Sequence, residues 1–150
     1  SVNDDFWIVI DRDKQSVNDS LLNVVLSFCK THDYGFGLSS PCFELWFLLH
    51  SVDISEESKE YKSALYENRR ISLNGGTFVE VELRKKQNSY NKCSPKPERF
   101  IKKTGRALKN AKKLGIYSTD KIPTTIICYV YKLIEQIINI EKIKELAKIT

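Results

Sequence analysis

The chain has 150 residues, 41% of them hydrophobic and 29% charged, with a formal net charge of +5. These values describe a globular domain with room for a real core and exclude a disordered chain. No apolar run reaches the roughly 18 residues of a membrane span, because Lys132 and Glu135 interrupt the most apolar segment, "TTIICYVYKLIEQIINI".

The first residues lack the basic, apolar and small-residue order of a signal peptide. The sequence contains no methionine, so residues before Ser1 are expected. Cys29, Cys42, Cys93 and Cys128 are scattered, none in a C-x-x-C pair, and there are only two histidines, His32 and His50. That pattern argues against a zinc site and reads as buried, reduced thiols in a cytoplasmic protein. Charge is divided unevenly: residues 1–60 hold 11 acidic and 4 basic groups, whereas residues 61–150 hold 8 and 20. An acidic half joined to a basic half suits a metal site beside a phosphate-binding surface, or a domain that neutralises itself.

Residues 6–10, "FWIVI", read as a fully buried strand ending in Asp11 and Asp13. "SVNDSLLNVVLSFCKTHD" predicts a helix whose apolar face is Val17, Leu21, Val24, Val25 and Phe28. Ser16, Asn18 and Asp19 are its candidate caps or first-turn residues. "YGFGLSS" predicts a second strand, parallel to the first because a helix separates them. "SPCFELWFLLH" predicts a buried helix with Pro41 in its first turn. Residues 52–76 read as an exposed helical excursion closed by Asn74, Gly75 and Gly76. From Phe78 the alternation of Val79 and Val81 with Glu80 and Glu82 predicts an extended start, followed by a proline-containing loop. "ERFIKKTGRALKNAKKLG" predicts one helix stopped by Gly115, and residues 124–148 a last helical region.

An aspartate pair at the carboxyl end of an apolar strand has two readings. Carboxylates on one face of a continued strand repel each other, and Mg²⁺ or Mn²⁺ relieves that repulsion. Alternatively, one aspartate caps the next helix. Glu44, among apolar neighbours, is a metal ligand, a general base or the partner of a basic side chain, because buried glutamate requires pairing. His50 reads as a partner of a helix C-terminus, and Trp7 and Trp46 as core. Lys92 is a candidate cation for phosphate charge. Arg99, Lys102, Arg106, Lys109 and Lys113 recur at three- and four-residue spacing. Such a stripe follows a phosphate backbone or forms a solvated face.

"VIDRDK" followed by "LSSPCFELWFLLH" resembles the RloB-like family of bacterial restriction and phage-defence loci. The family pattern is an apolar strand ending in Asp-x-Asp, then Ser-Asn-Pro-x-Phe-Glu-x-Trp and an apolar helix ending in Leu-Leu-His. Asp11 and Asp13 match the first motif. Ser39, Pro41, Phe43, Glu44, Trp46, Leu48, Leu49 and His50 match the second, with Ser40 replacing the asparagine. Tyr90 and Lys92 match a later Tyr-x-Lys element; Ala107, Ala111 and Thr124 or Thr125 match weaker positions.

The resemblance implies an α/β, Toprim-like fold: short parallel strands covered by helices, with a helical C-terminal half. It implies one domain over residues 1–150, with its Toprim-like core at about 4–51 and a mainly helical extension at about 52–150. The family's early strand and its catalytic glutamate are expected before residue 1, so the chain lacks the N-terminal part of the family domain. The implied activity is metal-dependent phosphodiester hydrolysis in bacterial anti-phage defence. Asp11 and Asp13 hold Mg²⁺ or Mn²⁺; Glu44 and Lys92 complete the catalytic set. The basic stripe read from spacing, Arg99, Lys102, Arg106, Lys109 and Lys113, is expected to hold DNA or RNA. An RloA-type ATPase is the implied partner, and self-association is compatible with the fold. The rival expectation is a non-catalytic module that binds an ATPase or nucleic acid.

Overall fold

The computed structural model describes residues 5–12, 18–72, 75–88, 90–115, 122 and 124–147. It is a mixed α/β structure, with seven α-helices and a small three-stranded sheet among the described residues. Strand β1 (Trp7–Asp11) leads to helix α1 (Asp19–Thr31) and then to β2 (Gly35–Ser40). The two strands are parallel, with Trp7 opposite Gly35 and Asp11 opposite Ser39. Helix α2 (Glu44–Leu49) follows after a cis Ser40–Pro41 bond. A 3₁₀ turn (Ile54–Glu56), α3 (Lys59–Glu67) and the short β3–β4 ribbon (Arg70–Ser72, Gly76–Thr77) come next. Helices α4 (Phe78–Lys86), α5 (Glu98–Ile101) and α6 (Thr104–Lys113) precede β5 (Ile127–Cys128) and α7 (Val130–Ala147). Strand β5 joins the far side of β2, antiparallel, so the order is β1–β2–β5.

The core lies between β2 and helices α2, α4, α6 and α7. Leu38, Leu45, Leu48, Leu49, Ile54, Leu65, Val79 and Ile127 are fully buried within it. Each such side chain stabilises the fold by about 1.5–3 kcal/mol relative to exposure. Two glycines permit the close β1–β2 seam. A Cβ on Gly35 would stand 2.2 Å from the Trp7 ring, and one on Gly37 would stand 3.3 Å from Val9 Cγ2. The Trp7 ring therefore lies across Gly35, and its Nε1–H donates to Gln136 on α7 at 2.9 Å.

Several expectations are corrected. Strand β1 is not fully buried. It is an edge strand among the described residues, with Val9 exposed and Phe6, just before it, 56% exposed. Helix α1 buries Leu22, Leu26 and Cys29, while Leu21, Val24 and Phe28 face out. The helix has two apolar stripes, and the one over the sheet is the one buried among the described residues. Its start is as expected for the capping residue: the Asn18 side chain accepts from Leu21 N–H at 2.8 Å.

Pro41 lies before α2 rather than in its first turn. Residues 78–86 form a helix rather than a strand, burying Val79 and Leu83 one turn apart. The excursion over 52–76 contributes Val52, Ile54 and Leu65 to the core, so it is not simply exposed. The segment 98–115 is two helices broken at Lys102 and Lys103. The last region opens with a strand, β5, before α7. Of the cysteines, Cys29 and Cys128 are buried, Cys42 is partly buried and Cys93 is exposed. No helix among the described residues is long and apolar enough to cross a membrane.

Candidate functional site

The carboxyl ends of β1 and β2 open into a cleft of about 530 Å³. The location follows from topology: in an open α/β sheet, the loops leaving parallel strands spread apart at this end. Asp11, the last residue of β1, lines one wall. Glu44, the first residue of α2, lines another and is only 5% exposed. The α3 end and the β3–β4 ribbon supply Tyr66, Glu67, Asn68, Arg70 and Thr77. The start of α4 adds Glu80, and the following loop adds Lys92.

Lys92 reaches in from that loop. Its Nζ lies 2.7 Å from Glu44 Oε1 and 3.6 Å from Glu80 Oε1. The Glu44 hydrogen bond is the main reason that the Lys92 ammonium is held above its ordinary range. Cys42 sits beside these acids. Burial raises its thiol first, and the Glu44 and Asp11 carboxylates raise it further, so it stays protonated. Burial also pushes Tyr90 up to about 12, with the Glu44 charge adding to the effect. Asp11 and Glu44 thus act on one thiol from two walls of one cleft.

Asn68 organises the opposite wall. It adopts a left-handed conformation, φ 44°, at the end of α3. Its Oδ1 accepts from Val79 N–H at 3.0 Å and its Nδ2 donates to Cys42 Sγ at 3.6 Å. Thr77 N–H donates to Glu80 Oε2 at 3.1 Å, and Phe78 N–H to the Arg69 carbonyl at 3.0 Å. The first amides of α4 therefore already have acceptors and are not an anion site. Sequence reasoning missed Asn68 and Glu80. The Thr77-x-x-Glu80 spacing is a capping-box signal that marks both the α4 start and the position of Glu80.

A family model described as RloB-like protein matches residues 1–137. The chain belongs to the RloB-like family. No curated protein and no solved structure matches it.

Most of the second RloB-like motif is core. Ser39, Trp46, Leu48, Leu49 and His50 are buried, and within this motif the Glu44 side chain is the carboxylate that reaches the cleft. His50 does partner the α2 terminus, as its C-cap, but as a buried ring. Burial lowers its pKa, and its Nδ1 lies 2.9 Å from the Trp46 carbonyl, between the rings of Trp46 and Phe100. Ala107 and Ala111 are buried on α6.

The predicted site residues of this RloB-like chain separate into two places. Asp11, Glu44 and Lys92 share the cleft. Asp13 lies outside the described residues. The basic residues lie on α5, in the turn after it and on α6, and form no single helical stripe. Arg99 donates to the Asn88 carbonyl at 2.9 Å and Arg106 to the Ser51 carbonyl at 3.0 Å. Lys113 pairs with Asp53 at 2.5 Å. Lys102 and Lys109 are exposed.

Among the described residues, no three His, Cys, Asp or Glu side chains group as metal ligands. Asp11 and Glu44 are nevertheless two hard oxygen donors in one cleft. That donor set fits an ion that keeps several waters and takes substrate oxygens, such as Mg²⁺ or Mn²⁺, and does not fit a closed thiolate or imidazole site.

Proposed function

We propose that this RloB-like protein is a metal-dependent nuclease that hydrolyses phosphodiester bonds in nucleic acid as part of bacterial anti-phage defence. The observation that carries the reading is the convergence of Asp11, Glu44 and Lys92 in one cleft at the carboxyl end of two parallel strands. A β-α-β unit ending in carboxylates is compatible with a Toprim-like core. Asp11, with Asp13 beside it in sequence, and Glu44 would hold Mg²⁺ or Mn²⁺. That ion would supply charge neutralisation and an activated water at the phosphate.

The chain's own groups have distinct tasks. Lys92 offers a positive charge that moves from Glu44 to a phosphate oxygen when substrate enters. Glu44, released from that ion pair, accepts a proton from water or orients it. Lys102 and Lys109, with Arg99, Arg106 and Lys113, provide outlying contacts for the backbone. The remaining elements of the reading, action in the cytoplasm and regulation by an RloA-type ATPase, are what the family resemblance implies.

The Lys92–Glu44–Glu80 network favours one rival, a non-catalytic module in which these charges hold the fold and the surface binds an ATPase or nucleic acid. Incubating the protein with labelled DNA and RNA, with Mg²⁺, Mn²⁺ or EDTA, separates the two. Metal-dependent cleavage lost in both Asp11→Asn and Glu44→Gln supports the nuclease. Binding without cleavage under every condition supports the module.

A further inference from the structure

Beyond the cleft itself, a second hollow of about 420 Å³ continues from it, sharing Glu80 and Lys92 as common wall. The two hollows have similar linings. Arg70 and Tyr66 line the first, and Arg84 and Tyr90 line the second. The acids Asp11 and Glu44 belong to the first hollow, and Lys92 stands at the junction.

Arg70 is an exposed residue on β3, opposite Thr77, with no ion pair among the described residues. A guanidinium left in this position beside carboxylates has its donors available for an incoming anion. Arg84 is held differently. It lies 3.6 Å from Glu80 Oε2 and is partly exposed. Gly76 makes that placement possible: a Cβ there would meet Glu80 Oε2 at 2.1 Å and Arg84 Nη2 at 2.5 Å. Its φ of +80° also suits glycine. Arg70 thus lines the first hollow with the carboxylates, and Arg84 lines the second.

We propose that the two adjoining hollows form a track for an unpaired nucleic-acid strand, with Arg70 in the first and Arg84 in the second holding phosphates. The proposal rests on the nuclease reading and specifies its substrate. A duplex keeps its bases stacked inside a stiff cylinder. An unpaired strand bends into a recess and turns its bases onto aromatic rings. Tyr66 and Tyr90 line one hollow each, with Arg70 and Arg84 respectively. Alternation of cations and aromatics along a groove is the arrangement that binds single strands with little sequence preference.

The test is fluorescence anisotropy in EDTA at several salt concentrations, using labelled single-stranded DNA and RNA of mixed sequence and a duplex of the same length. Arg70→Gln, Arg84→Gln, the double variant and Tyr66→Leu are compared with wild type, with thermal melting as the folding control. The double variant is expected to bind single strands about tenfold more weakly. Its log–log salt slope should fall by about 1.4, or about 0.7 for each phosphate that is no longer neutralised. Tyr66→Leu should weaken binding several-fold while leaving the slope unchanged, because stacking releases no counterions. Unchanged affinity and slope in folded Arg70→Gln and double variants would overturn the track. Equal losses on duplex and single strand would overturn its preference for unpaired substrate. Because EDTA removes catalysis, these results stand apart from the cleavage assay: cleavage that survives without any Arg70 or Arg84 effect rejects the track alone, and binding that follows the track without metal-dependent cleavage rejects the nuclease alone.

Discussion

The Lys92 ammonium lies 2.7 Å from the Glu44 carboxylate, joining a 63%-exposed side chain on a loop to a nearly buried one at the start of α2. The asymmetry matters. Glu44 is nearly buried, whereas Lys92 is open to solvent. Breaking a buried pair from one side costs about 3–5 kcal/mol. Here the lysine end is solvated, so Lys92→Met should cost less than that and more than the roughly 0.2–1 kcal/mol of a fully exposed pair. Adding Glu44→Gln should recover part of that loss, because no charge is then buried alone. Urea denaturation of the two single variants and the double variant measures the coupling.

The same pair fixes an alkaline pH dependence. The folded state raises the Lys92 pKa, chiefly through its bond to Glu44. Its contribution is fully present below the unfolded lysine value of about 10.4 and is lost as pH rises through the higher folded value. Stability measured from pH 9 to about 11 should decline less steeply in Lys92→Met than in wild type.

Metal binding is expected to stabilise the fold. A ligand at 100 times its Kd adds about 2.7 kcal/mol. Titrating Mg²⁺ or Mn²⁺ against thermal melting should raise the midpoint of wild type and raise it less in Asp11→Asn. Equal shifts in the two proteins would remove Asp11 as a principal ligand.

On α6 and the turn before it, replacing Lys102, Arg106 and Lys109 with Gln should weaken DNA or RNA binding across sequences and flatten its salt dependence. The fold should survive with a small loss. Arg106 donates to the Ser51 carbonyl, a bond worth about 0.5–1.5 kcal/mol. Lys102 and Lys109 are exposed, and changing them should alter stability by no more than about 0.5 kcal/mol. Affinity over a salt series, with circular dichroism as control, checks both statements. Unchanged affinity and slope would take this face out of the binding surface.

His50 supplies an acid-side prediction. Burial lowers its folded pKa below the ordinary value, so the folded state resists protonation. Its stabilising contribution is present above the unfolded value of about 6.5 and is lost as pH falls from there through the lower folded value. His50→Asn keeps an amide donor for the Trp46 carbonyl and removes the titration. Unfolding free energies at about pH 7.5 and pH 5 should differ less in this variant than in wild type, once both are compared around the unfolded histidine value.

Much of the frame was legible in the residues. The apolar run ending at Asp11, the capped helix after it and the small-residue strand at 35–40 specify a parallel β-α-β unit. Asp11 and Glu44 stand out because carboxylates next to apolar runs need a purpose. The motif that contains Glu44 carries family membership, now supported over residues 1–137. Where local pattern failed, two solutions were nearly equal. Val79 and Val81 suit a strand by alternation, but the Thr77–Glu80 capping box and burial one turn apart at Val79 and Leu83 made a helix. On α1 either of two apolar stripes could have faced inward, and packing over the sheet chose Leu22, Leu26 and Cys29.

The pairing of charges was not readable along the chain. Lys92 is 48 positions from Glu44, and no local spacing brings them together. Arg70 and Arg84 likewise look like ordinary surface cations until the β3–β4 ribbon and α4 set them in two adjoining hollows. Periodicity reports which face of an element avoids water, because burial is a local free-energy preference repeated along it. Which charges meet depends on loop paths and on how helices stack. Those are decided by the packing of the whole core, with Asn68 and Gly76 fixing the turns that carry the cleft walls into place.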